Sequence, residues 1–160
     1  MFLGHYGLAF AAKRASRETS LGTLTFAAQW ADELWPILLL LGVEHVRIAP
    51  HIMAQSDLDF VSYPFSHSLV TLLGWGIIIG LVYFFARRNA RGAWIVGALV
   101  VSHWVLDFVV HGPDLPLYPG GPRVGLGGWN SVPLTWALEA LFYVGGLTIY
   151  LRTTRAKDAI

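Results

Sequence analysis

The sequence predicts an all-α fold, an integral membrane helical bundle of four transmembrane helices with a short N-terminal half-membrane helix. Three observations lead there. Hydrophobic residues make up 55% of the 160 and charged residues 13%, about half the charged share of a soluble domain. The apolar residues gather into runs near the roughly 20 residues that a spanning helix needs. The basic residues gather between those runs, at 13–17, 87–91 and 152–157. One domain, residues 1–160, accounts for the whole chain.

Residues 2–12 are apolar, contain His5, and are too short to span. They read as a half-membrane or re-entrant helix. A cleavable leader carries its positive charge first; here Lys13, Arg14 and Arg17 follow the apolar part, so the segment reads as mature protein. Thr19 or Ser20 can cap the next helix. Residues 21–43 form the first expected span, with Asp32 and Glu33 near its middle and Pro36 just beyond, where a missing N–H favours a kink. A loop over 44–66 holds Glu44, His45, His51, Asp57 and Asp59.

The second span, 66–85, opens with Ser66-His67-Ser68. The third, 92–110, carries Ser102-His103-Trp104-Val105-Leu106-Asp107. Residues 111–130 are too rich in glycine and proline for a helix. Asn130 or Ser131 can cap the fourth span, 132–151, and Pro133 falls in its first turn, where proline is tolerated. Positive loops stay in the cytoplasm, so both termini are expected there, with 44–66 and 111–131 on the other side. Arg47 and Arg123 are the exceptions. The localisation expected is a bacterial or archaeal cytoplasmic (inner) membrane, with membrane lipid as the first partner.

Composition also excludes. There is no cysteine, hence no disulfide, thiolate metal site or cysteine nucleophile. A net charge of +1 gives no footprint for nucleic acid.

The spans contain acids and histidines but no basic residue. Such groups are hard to place in hydrocarbon without partners. The helical rise sets their depths. His103 lies 12 residues past Arg91, roughly 18 Å up, and Asp107 about 24 Å up. Asp32 is about 22 Å beyond Arg17, Glu139 about 20 Å from Arg152, and His5 about 12 Å from Lys13. His67 tops its helix, nearer about 30 Å above Arg87. Most of these groups fall in one band from the midplane outward. His103 and Asp107, four apart, share a helix face and can supply two ligands to a divalent metal; alternatively they hydrogen-bond to each other as bundle glue. Ser66 and Ser68 either cap a helix or orient His67 as a ligand. Glu139 is either a site group or a neutral hydrogen-bonded acid. His45, His51 and His111 lie at or beyond the span ends, where solvation is the default reading.

In order, His5, Asp32-Glu33, Ser66-His67-Ser68 and Ser102-His103-x-x-x-Asp107 resemble the pattern of the YdjM-like family of inner-membrane metal-dependent hydrolases. Ala31-Asp32-Glu33-Leu34 stands where that family has P-D-x-D, and Tyr63-Pro64-Phe65 where it has a basic residue. The resemblance covers the first two-thirds of the chain. It implies a helical hydrolase distantly similar to zinc-dependent phospholipase C and P1-type nuclease folds. The metal ligands expected are His5, Asp32, His67, His103 and Asp107, with either Asp32 or Glu33 facing the site. Mixed N/O donors without thiolate suit zinc. Glu33, Glu139 or Asp59 is expected as general base, and the substrate as a small-molecule or lipid-like phosphoester. The alternative is a small proton- or ion-coupled transporter using the same groups. A haem bundle using His5 and His103, or a non-catalytic interaction protein, are further alternatives.

Overall fold

Helices α1 (Leu3–Ala15), α2 (Leu21–Ala28), α3 (Trp30–Leu40), α4 (Pro64–His67), α5 (Leu69–Arg87), α6 (Ala90–Val110) and α7 (Val132–Thr153) build the protein in a computed structural model that describes residues 1–154. Two short antiparallel hairpins lie between them. β1 (His45–Ile48) pairs with β2 (Leu58–Ser62), opposing His45 to Ser62 and Arg47 to Asp59 across a bulge. β3 (Leu115–Pro116) pairs with β4 (Arg123–Val124), and a 3₁₀ turn at Gly128–Asn130 precedes α7. Part of the expected basic cluster at 152–157 lies outside the described residues.

Among the described residues three helices, α5, α6 and α7, are long and apolar enough to cross a membrane. They match three of the four expected spans, with the second starting at Leu69 because Ser68 caps it. The expected first span, 21–43, is instead two helices of 8 and 11 residues, separated at Gln29. Proline is not the cause, since α3 runs through Pro36. The interruption frees the Ala28 carbonyl, which lies 2.8 Å from His103 Nδ1. Broken helices at membrane depth persist where protein groups satisfy the freed backbone, and His103 does so here. The 44–66 and 111–131 connections also hold more structure than expected, as the two hairpins.

Side-chain caps punctuate the helices. Ser20, Ser68, Asn89 and Ser131 accept from the backbone N–H of Thr23, Thr71, Gly92 and Leu134. Each such cap stabilises a helix by about 1 kcal/mol. Helix α6 is the axis of the bundle. It packs on α5, α2, α1 and α3, and α1 in turn lies along α7. Ala9, Leu24, Ala27, Ala31, Leu72, Val96 and Val100 fill the space around it. The outward face of α5 is apolar, with Val70, Ile77, Ile78, Val82 and Phe85 exposed.

Small residues let the backbones approach, as is usual for helices packed in lipid. A Cβ on Gly97 would stand 2.7 Å from the Gly76 carbonyl oxygen. On Gly146 it would overlap the Gly7 carbonyl, whereas on the adjacent Gly145 it meets nothing within 4 Å. Gly145→Ala is therefore expected to leave thermal stability equal or higher, by up to about 1 kcal/mol from helix propensity. Gly146→Ala is expected to lower it by about 1–3 kcal/mol through overpacking. Equal melting of the two variants in the same detergent would refute this account of the α1–α7 contact.

Candidate metal centre

The site starts on α6. One helical turn separates His103 from Asp107, and both face the bundle interior, 0% and 2% exposed. Asp107 presents its two oxygens to different neighbours. Oδ1 lies 3.2 Å from His5 Nε2 on α1 and 2.5 Å from the Met1 amino group. Oδ2 lies 3.2 Å from His103 Nε2, 3.8 Å from His67 Nε2 and 3.8 Å from His111 Nε2. Asp32 on α3 closes the other side, with Oδ1 3.5 Å from His67 Nε2 and 3.6 Å from His103 Nε2. The His5 and His103 rings stack at 3.7 Å, nearly parallel.

These spacings decide what the cluster is suited to. Zinc–nitrogen and zinc–oxygen bonds of 2.0–2.2 Å in a tetrahedron set neighbouring ligand atoms roughly 3.3 Å apart. Asp32 Oδ1, His67 Nε2, His103 Nε2 and Asp107 Oδ2 meet that at four edges of 3.2–3.8 Å. Two sets, His5–His103–Asp107 and Asp32–His67–His103, each hold their donor atoms within 4.8 Å. Yet His103 Nε2 and both nitrogens of His5 are buried without a hydrogen-bond partner. Such orphans are uncommon in protein interiors. These nitrogens crowd the carboxylate oxygens without bonding to them, an arrangement that a shared cation would relieve, while Asp107 Oδ1 accepts from the Met1 amino group.

Outer groups fix the rings. The Ala28 carbonyl lies 2.8 Å from His103 Nδ1, which leaves Nε2 to the site. His67 Nδ1 lies 2.7 Å from Ser66 Oγ, and Ser66 donates to Glu44 Oε2 at 2.6 Å. Glu44 Oε1 accepts from the backbone N–H of Phe65 and Ser66, so the buried carboxylate holds the turn that carries His67. Burial lowers the His67 pKa below its ordinary value, favouring the neutral, ligating imidazole. In the Ser66-His67-Ser68 element Ser68 caps α5, as one sequence reading has it, while Ser66 lies against the histidine ring.

His111 was expected to be solvated. It is 2% exposed, with Nδ1 3.1 Å from Asp114 Oδ1. Tyr63 donates to the same carboxylate oxygen at 3.3 Å. Burial, then the Asp114 and Asp107 carboxylates, raises the Tyr63 pKa, so its phenol keeps its proton. Imidazole held by carboxylate, with the far nitrogen aimed at a cluster, is the usual support of a metal-binding histidine. The rings of Phe60 and Trp129 pack on His111 at 4.8 and 4.3 Å. The sequence signals that could have raised His111 were its position four after Asp107 and Asp114 three further on.

Comparison with protein-family models, with curated proteins and with solved structures finds no match. The geometry of the cluster is therefore the ground for a functional reading.

The five expected ligands His5, Asp32, His67, His103 and Asp107 converge, and Asp32 rather than Glu33 faces the cluster. The three carboxylates expected as general bases do not join them. Glu33 is exposed on α3. Asp59 pairs with Arg47 at 2.7 Å on the hairpin. Glu139 accepts from the backbone N–H of Phe2 and Gly4, both at 2.7 Å, and so anchors the start of α1. Free amides at a helix start seek an anion, and a carboxylate on α7 supplies one. Arg47 and Arg123 are also absorbed locally, since Arg123 donates to the Phe60 and Val61 carbonyls.

Two variants separate these roles. Ser66→Ala is expected to weaken binding of an added divalent metal by roughly 10–100-fold with little loss of fold, as removal of an orienting contact does. Glu139→Gln is expected to leave that binding unchanged while lowering thermal stability by about 1–3 kcal/mol. Metal titration and melting of both proteins check this; a Glu139→Gln protein that melts normally but no longer binds metal would reverse the assignment.

Proposed function

We propose that the chain is a membrane-embedded, metal-dependent hydrolase of the YdjM-like kind, acting on a phosphoester of lipid-like character. One observation carries this reading. Buried imidazole nitrogens on His5 and His103 lack hydrogen-bond partners within two groups of donors, His5–His103–Asp107 and Asp32–His67–His103, each close enough to share an ion. His5, Asp32, His67, His103 and Asp107 would supply the ligands, with His111 beside Asp107. Zinc is the metal that suits this mixture of imidazole and carboxylate. When bound, it supplies Lewis acidity and a water acidic enough to attack at neutral pH.

The chain's own residues do the rest. The Ala28 carbonyl and the Glu44–Ser66 pair hold His103 and His67 with their Nε2 atoms inward. Trp35, Phe60, Tyr63 and Trp129 pack around His67 and His111 and keep bulk water from that side. Asp32 is the open edge, with its side chain 34% exposed. It shares a face of α3 with Pro36 and Leu40, both exposed. A substrate reaching Asp32 therefore passes apolar surface, which favours an amphiphile over a fully polar metabolite. The cytoplasmic-membrane location, with the end of α7 at Arg152 on the basic side, is part of the same proposal and rests on the placement of the arginines; the other terminus departs from the expectation, since the Met1 amino group meets Asp107 at the level of the cluster.

The haem alternative loses its premise, since stacked His5 and His103 rings leave no space for a porphyrin between them. A proton- or ion-coupled transporter remains the competing reading and predicts uptake into vesicles without stoichiometric zinc.

Metal analysis of the purified protein tests the proposal. Wild type is expected to carry stoichiometric zinc and to release phosphate or a phosphorylated headgroup from a lipid phosphoester. His103→Ala and Asp107→Ala are expected to lose both. Zinc absent from wild type, or unaffected by both changes, would overturn the reading.

A further inference from the structure

A second cluster of charge lies at the other end of α6, about 18 Å below His103 by helical rise over the 12 residues from Arg91. Arg14 from α1, Arg17 from the α1–α2 turn and Arg91 from the first turn of α6 line one concavity of about 400 Å³. Glu18 is its single acidic side chain, and it accepts from Asn89 at 3.1 Å. The one arginine–carboxylate ion pair among the described residues is Arg47–Asp59, so none of these three guanidiniums is paired with a described carboxylate.

The cradle is built rather than loose. Lys13 donates to the Arg17 and Thr19 carbonyls, at 2.7 and 2.6 Å, which fixes the turn carrying Arg17. Thr19 bonds to Ser16 at 2.6 Å and to Tyr83 on α5 at 2.8 Å, tying that turn to the bundle. Bringing three positive groups together on such a scaffold is unfavourable unless an anion accompanies them. Planar guanidinium forks match phosphate oxygens in pairs.

The position selects the source of the phosphate. The concavity sits where α5 ends and α6 begins, the boundary of two helices apolar enough to cross a membrane. Tyr83 also lines a neighbouring groove of about 420 Å³, which descends between α2 and α5 past Phe26, Ile79 and Val82. A phosphate in the arginine cradle would thus have an apolar channel beside it for an acyl chain. Basic pockets at helix ends on the positive side of a membrane suit anionic headgroups. We infer that this concavity binds the phosphate of an anionic phospholipid, with an acyl chain along the α2–α5 groove. The site is separate from the metal centre and does not depend on the hydrolase reading.

Binding of short-chain phosphatidylglycerol, short-chain phosphatidylcholine and inorganic phosphate to the full chain in neutral detergent tests it. Native mass spectrometry or calorimetry gives the affinities. Phosphatidylglycerol is expected to bind, phosphatidylcholine and phosphate at the same concentration are not. Arg17→Gln/Arg91→Gln is expected to weaken phosphatidylglycerol binding roughly thirtyfold, from the attraction each basic group exerts on anionic lipid. Arg88→Gln/Arg152→Gln removes as much charge at the same end of the bundle, from exposed residues that line neither the cradle nor the groove, and is expected to change little. Equal losses in the two double variants would reduce the site to a diffuse surface field and overturn the proposal. Equal binding of phosphatidylcholine would overturn it, as would displacement of phosphatidylglycerol by phosphate at comparable concentration. Arg17→Lys/Arg91→Lys, which keeps the charge, is expected to retain most of the binding and guards against a misfolded glutamine variant.

Discussion

An aspartate with 2% exposure at the centre of a mostly apolar bundle sets the terms for everything around it. A buried carboxylate is tolerated only when paired or coordinating. Asp107 meets this by facing His5, His67, His103 and His111, each on a different piece of backbone or a different turn. Every structural oddity of the chain serves that arrangement. The interruption at Gln29 yields a carbonyl for His103. The extra turn α4 lifts His67 out of α5 so that Ser66 and Glu44 can hold it. The 111–131 segment folds back so that Trp129 covers His111.

The convergence of His5, Asp32, His67, His103 and Asp107 could be read from the sequence because their surroundings are apolar. A histidine or aspartate in a hydrophobic run declares its need for partners, and helical rise places several such groups at one height. His111, Glu44 and Asp114 carried no such signal. They sit just outside the runs, where water is the default partner, and only the folded hairpins show that water is excluded there. Glu139 announced itself by the same rule, but the rule does not name the partner. A carboxylate in an apolar helix is satisfied equally by a cation, a histidine or the amides of a helix start, and here it is the last.

The break in the expected first span was hidden for a related reason. Residues 21–40 read as one apolar run with a proline at 36, so local chemistry points to a kink at the wrong place. Gln29 has no special backbone preference; what accompanies the interruption is a contact between the preceding Ala28 carbonyl and His103, 75 residues further on. Long-range interactions of this sort override intrinsic propensity. The same contact divides the labour, since α2 and Ala31 at the start of α3 join the core, while the far end of α3, with its exposed Ile37 and Leu40, stays at the periphery and the half-buried Asp32 lies between.

The anchoring of α1 has a consequence for biogenesis. Its first amides are held by a carboxylate 135 residues further along the chain, and His5 sits one turn inside that anchor. During synthesis α5 and α6 can pair as a helical hairpin and present His67, His103 and Asp107 while the last helix is still on the ribosome. The helix bearing His5 can meet α2 and α6 before then, but its first amides gain their carboxylate only once α7 has emerged. The last seal on the cluster is therefore a late event, and a chain cut short before Glu139 would leave the start of α1 unanchored.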